Sequence, residues 1–172
     1  MSLNFLTQTF LIILLVLLPT HFSYVKSDAA LIDKACKSTP SYKKCVSIIN
    51  TDPGASKADI TGLAIIALNA VDTKSHAVMD FLYSQEPKTP ALKHAFSSCY
   101  DNYYAIINAD VLQGYQALQK GQPMIAQTSM NDAGNEANSC ENEFKGKSPM
   151  TSYNTDVHDT AAIASALTQL LL

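Results

Sequence analysis

The chain contains no tryptophan and no arginine, and every one of its twelve basic side chains is a lysine. Without guanidinium groups, the planar two-point grip on phosphate or carboxylate is missing. Asp and Glu outnumber Lys by 15 to 12 and the net charge is −3, so nothing here makes a basic surface for nucleic acid. The chain also lacks an Asn-x-Ser/Thr acceptor for glycosylation, a Gly-rich phosphate loop and any useful run of alternating apolar and polar residues. None of its cysteines or histidines has the short spacing of a zinc site, and no metal or other cofactor is expected.

What is present begins with an unbroken apolar run, FLIILLVLL, at residues 10–18. It is about nine residues long, too short to span a bilayer and right for the core of a secretory leader. The n-region is atypical, because no lysine precedes Lys26. Ser27, with Val25 two residues earlier, makes a cleavage site ahead of Asp28. Residues 1–27 are therefore read as a cleaved signal peptide. Residues 28–172 remain as one secreted domain of about 145 residues, without a stable membrane anchor, enough for a core of its own.

Secretion gives the four cysteines an oxidising compartment. Cys36 and Cys45 are centred beside Pro40, and Cys99 and Cys140 are centred just before Gly121-Gln122-Pro123. In an antiparallel hairpin, residues equidistant from the turn lie side by side. Of three possible connectivities, this symmetry argues for Cys36–Cys45 and Cys99–Cys140.

The periodicity is helical throughout. Residues 28–37 and 42–50 form a short helical hairpin (28–51), ended by Asp52-Pro53-Gly54. Residues 56–85 repeat apolar side chains at three- and four-residue intervals, with Ser56 or Asp59 as the cap. Residues 91–120 carry a stripe of Leu92, Phe96, Cys99, Tyr103, Ile106, Ile107, Leu112, Tyr115 and Leu118. Residues 123–144 place Ile125, Ala126, Met130, Ala133, Ala137, Cys140 and Phe144 on one face, with Pro123 at the first helical position. A last helix, capped by Ser152 or Asn154, runs to Leu172. Short connections between four amphipathic helices predict an all-α fold: an up-down-up-down four-helix bundle over residues 56–172, with the helical hairpin at its N-terminus.

Catalytic chemistry finds no constellation. His76, His94 and His158 sit on helices without a matching Ser or Cys motif, and the neighbours His158 and Asp159 are expected to point in different directions. Asp132, Glu136, Glu141 and Glu143 read as a solvated acidic face, and Tyr100 and Tyr103 as packing on the cystine side, with Tyr104 as a surface aromatic. A small cystine-stapled bundle without catalytic groups fits a binding or inhibitory module, whose rigid turn is organised before it binds.

The residues also resemble a known family. Cys36-Lys37-Ser38-Thr39-Pro40-Ser41-Tyr42 running to Cys45, Ala58-Asp59-Ile60-Thr61-Gly62-Leu63-Ala64, Cys99 with Tyr103, and Ser139-Cys140-Glu141-Asn142-Glu143-Phe144-Lys145-Gly146 are similar to the plant invertase and pectin methylesterase inhibitors. The resemblance implies the bundle-plus-hairpin fold with two sequential disulfides. It places the chain nearer the inhibitors of acid invertase, a glycoside hydrolase that cleaves sucrose, than those of pectin methylesterase, with a non-inhibitory secreted binding protein as the remaining reading. In the invertase subgroup, a Pro-Lys-Phe turn between the second and third bundle helices enters the enzyme's cleft. The matching segment here is Lys120-Gly121-Gln122-Pro123-Met124-Ile125, which keeps only the proline. The implied partner is an acid invertase in a 1:1 complex in the apoplast or vacuole.

Overall fold

The computed structural model describes residues 29–85 and 88–172. The apolar leader, His21 and the expected cleavage ahead of Asp28 lie outside the described residues. Among the described residues no strand forms, and no helix is long and apolar enough to cross a membrane.

The helical hairpin is α1 (Ala29–Lys37) and α2 (Tyr42–Ile49), joined across Cys36–Cys45. The bundle follows: α3 (Ile60–Gln85), α4 (Lys93–Ala105) continuing through a π-helical segment (Ile106–Val111) into α5 (Leu112–Gln119), α6 (Pro123–Glu143) and α7 (Thr151–Gln169). Asp59 caps α3, its Oδ1 accepting the Gly62 N–H at 2.8 Å; this puts the cap three residues beyond Ser56, which lies in a short 3₁₀ turn. Leu63, Leu68, Val71, Ile106, Met130, Ile163 and Leu167 fill one core between the four long elements.

The third arm departs from its expected stripe. Phe96, Cys99, Tyr103 and Ile106 are buried at spacings of three and four, but the next buried residue is Val111, five positions on. A π segment takes more residues per turn than an α-helix. One extra residue rotates everything beyond it by roughly 100°. Gly114, Ala117 and Leu118 therefore face inward, while Leu112 and Tyr115 are 50% and 38% exposed. The small residue matters here. A Cβ on Gly114 would lie 2.9 Å from Leu68 Cδ1 and 3.3 Å from Met130 Cε, so its absence lets α5 settle against α3 and α6.

The cap of α7 is also not the expected one. Ser148 Oγ accepts the Met150 N–H at 3.0 Å ahead of the helix, and Ser152 and Asn154 lie inside it. Asn154 is buried instead. The hairpin is pinned to the bundle by Lys44, whose ammonium reaches Asp156 Oδ1 at 3.0 Å and Asp159 Oδ2 at 3.1 Å; Lys74 also pairs with Asp156. Burial raises both carboxyl groups. The hydrogen bonds from Lys74 and Lys44 to Asp156, and from Lys44 and His158 to Asp159, outweigh it and hold both below the ordinary carboxylate range.

Candidate functional site

The connection between α5 and α6 is short and fully specified by backbone bonds. Gln122 N–H donates to Ala117 C=O at 2.9 Å and Gly121 N–H to Leu118 C=O at 3.1 Å. This is the Schellman pattern, which requires a left-handed residue just past the helix end. Gly121 supplies it with φ +65°, a conformation that costs a residue with a Cβ. Pro123 then opens α6 at a position where no backbone donor is needed.

Two residues beyond the turn, two adjacent apolar side chains face solvent. Met124 is 66% exposed and Ile125 is 42% exposed, on the first turn of α6 and beside the tip of the α5–α6 hairpin. The expectation that Ile125 joins the inward stripe fails, because the stripe begins one residue later with Ala126. Lys120, Gly121 and Gln122 are exposed and Pro123 is half-buried. Behind the tip, the Ser129 hydroxyl lies 3.1 Å from Gln113 Oε1 and 3.1 Å from Ile125 C=O, so α5 and α6 are braced across the base of the turn. The result is a rigid apolar knob flanked by one ammonium.

The opposite end of the same hairpin is held more strongly. Cys99 and Cys140 are bonded with their Cα atoms 4.6 Å apart, about 30 Å from the turn at 1.5 Å per residue. Beside the cystine, the Tyr103 hydroxyl donates to Asn154 Oδ1 at 2.8 Å, and Asn154 Nδ2 donates to Glu141 Oε2 at 2.6 Å. The Thr151 hydroxyl adds a bond of 2.5 Å to Glu141 Oε1. Burial pushes the Tyr103 phenol well up, helped by the charges of Glu141 and Asp156. Burial also acts to raise Glu141, but the bonds from Thr151, Asn154 and Ser148 prevail and lower it. Tyr103 and Asn154, both buried, and the half-buried Glu141 are thus one network joining α4, α6 and α7, and Glu141 is not part of a merely solvated face.

Other candidates resolve into packing. His158 Nδ1 does approach Asp159 Oδ1, at 3.3 Å, so these neighbours meet; Asp159 is already bound by Lys44, and the contact lacks a nucleophile. Tyr100 is half-buried, with its ring 5.6 Å from Tyr83 and 6.3 Å from Tyr104, at the edge of a cavity of about 260 Å³ lined by Leu82, Phe96 and Ser97. Among the described residues, no group of three or more His, Cys, Asp or Glu could hold a metal ion. One feature with no sequence signal is Asp110, in the π segment, with a buried Oδ2 that meets no donor. Burial, then the charges of Asp132 and Glu136, push its carboxyl up to about 7.

The family model of the plant invertase/pectin methylesterase inhibitor matches residues 30–169, which covers both helices of the hairpin and all of the bundle. The chain belongs to that inhibitor family. Among its relatives, the cell wall/vacuolar inhibitor of fructosidase 1 of Arabidopsis thaliana is 34% identical over 141 residues, covering 82% of this chain and 69% of that one. A pectinesterase inhibitor of Actinidia deliciosa is 24% identical over 124 residues, covering 71% of this chain and 66% of the other. The crystal structure of mutant form A of a pectin methylesterase inhibitor from Arabidopsis superimposes with a TM-score of 0.70 at 21% identity, covering 82% of this chain and 97% of that chain. That likeness shows the shared fold of the inhibitor family.

Proposed function

We propose that this protein is a secreted inhibitor of plant acid invertase, not an enzyme. It acts in the apoplast or vacuole after losing residues 1–27, and it blocks the substrate cleft reversibly, one inhibitor to one enzyme, with Lys120, Gly121, Gln122, Pro123, Met124 and Ile125. The observation that carries the reading is the exposed Met124–Ile125 tip, held by the Schellman turn and the Gln113–Ser129 brace. A knob fixed before binding loses little conformational freedom in the complex. The name of the 34% identical relative, an inhibitor of fructosidase, supports the same target.

The substitution pattern sharpens the energetics. A thioether in place of an ammonium forgoes a charge-assisted bond to the carboxylates of a glycoside hydrolase. Apolar burial of Met124 and Ile125 then supplies most of the insertion energy, at about 25 cal/mol per Å². Met124→Lys should tighten inhibition of invertase by roughly ten-fold or more, the worth of one charged hydrogen bond. A Met124→Lys variant with unchanged inhibition would remove the turn from the contact.

A second reading is a pectin methylesterase inhibitor, favoured by the loss of the lysine and by the pectinesterase inhibitor among the relatives. In that case the helix faces make the contact, and substitutions at Met124 and Ile125 leave inhibition unaltered.

A further inference from the structure

The soft, readily oxidised side chains of this protein are almost all withdrawn from solvent. The sequence has no tryptophan. All four cysteines are consumed in two fully buried cystines. Met130 and Met150 are fully buried, and Met79 is half-buried against the core. Met124 stands alone among the described methionines in projecting into solvent. An oxidant that reaches the folded protein therefore meets one accessible thioether first.

That thioether sits at the apex of the knob. We infer that Met124 is a reversible oxidation site whose conversion to the sulfoxide releases the target enzyme; the inference rests on the α5–α6 turn being the inhibitory element. The oxidant is a peroxide. The sulfur lone pair attacks one oxygen of hydrogen peroxide, the O–O bond breaks, and the second oxygen leaves as water. The sulfur loses two electrons and the peroxide gains them. The product carries a strongly dipolar oxygen that accepts hydrogen bonds and donates none. A glycoside hydrolase cleft presents a pair of carboxyl groups, which are acceptors apart from the single proton of the general acid. On insertion the sulfoxide oxygen is stripped of water and meets mostly acceptors, so its desolvation is poorly repaid. The fold is indifferent to the change, because the Met124 side chain lies outside the core. Sulfoxide reductases return the thioether, so the modification is a switch.

The test uses the purified secreted protein, treated with hydrogen peroxide and mapped by peptide mass spectrometry, alongside inhibition of acid invertase before and after. A single added oxygen should appear on Met124 while Met130 and Met150 remain unmodified. The inhibition constant should rise at least ten-fold with an unchanged thermal midpoint, and sulfoxide reductase treatment should restore it. A Met124→Leu variant, whatever its own affinity, should give the same constant before and after peroxide, and a Met79→Leu variant should respond as the parent does. Equal inhibition by the oxidised and untreated parent, or oxidation of the buried methionines at the same rate, overturns the switch while leaving the inhibitor reading intact. Failure of the untreated protein to inhibit invertase overturns both.

Discussion

Replacing Asp110 by Asn should stabilise the protein at neutral pH and do almost nothing at pH 4. In the folded state the carboxyl is half-buried in the π segment, Oδ2 has no donor, and Asp132 and Glu136 face it from α6. Its pKa is pushed from an ordinary 3.8 up to about 7. Between those two values the unfolded chain gives up the proton and the folded chain keeps it. The folded state binds more protons, so stability falls as pH rises from about 4 to 7 and the full penalty is present above 7. A displacement of about three from the ordinary value sets a ceiling of ~4 kcal/mol at ~1.36 kcal/mol each. The group is half in contact with water, and screening reduces this to roughly 1–2 kcal/mol. For a chain of this size that corresponds to about 3–6 °C in melting temperature. The assay is thermal unfolding followed by circular dichroism at pH 4, 5.5 and 7.5 for parent and variant. The gain should be near zero at pH 4 and grow steadily to pH 7.5. A pH-independent gain, or none at pH 7.5, refutes the argument and places the Asp110 carboxylate in a better-solvated or better-paired setting than its geometry indicates.

The bundle was legible because its signals are additive along each helix. Asp59 as cap, Pro123 as first residue, Gly121 beyond the helix end and the apolar stripe of α3 each act locally, and each appears in its expected role. The π segment was not legible. Its sequence, Ile-Ile-Asn-Ala-Asp-Val, has no proline or glycine to mark it, and the segment lies packed against α3 and α6. A fixed period of 3.6 runs straight through a register change and so puts Leu112 and Tyr115 on the inward stripe. Asn154 and Glu141 give no sequence signal of their pairing for a related reason. Polar residues near helix ends read as caps or solvated faces, and only the fold brings Tyr103 between them. The apolar tip at Met124 and Ile125 was visible as a substitution pattern, but its exposure emerged only with the turn geometry.

Three further outcomes are expected. Tyr103→Phe removes the hydroxyl that donates to the buried Asn154 Oδ1 and should cost about 1–2 kcal/mol in denaturant unfolding. Gly134→Ala should stabilise by roughly 0.5–1 kcal/mol through helix propensity, because its new Cβ meets His158 Cδ2 at an ordinary 3.6 Å; a loss measured by the same titration contradicts it. Removing Cys99–Cys140, which closes a 41-residue separation, should cost about 3–4 kcal/mol and weaken enzyme inhibition more than removing Cys36–Cys45, which lies in the hairpin and not behind the turn.

The central claim concerns which enzyme the tip enters, and the parallel inhibition assay addresses it directly. Purified protein lacking residues 1–27 is titrated against a plant acid invertase and against a pectin methylesterase, both at acid pH, with the parent and a Met124→Asp variant side by side. The account predicts inhibition of the invertase with saturation at one inhibitor per enzyme, and strong weakening by Met124→Asp as a carboxylate is driven among carboxylates. Inhibition of the pectin methylesterase with no loss in the variant, or no inhibition of invertase at micromolar concentration, contradicts it.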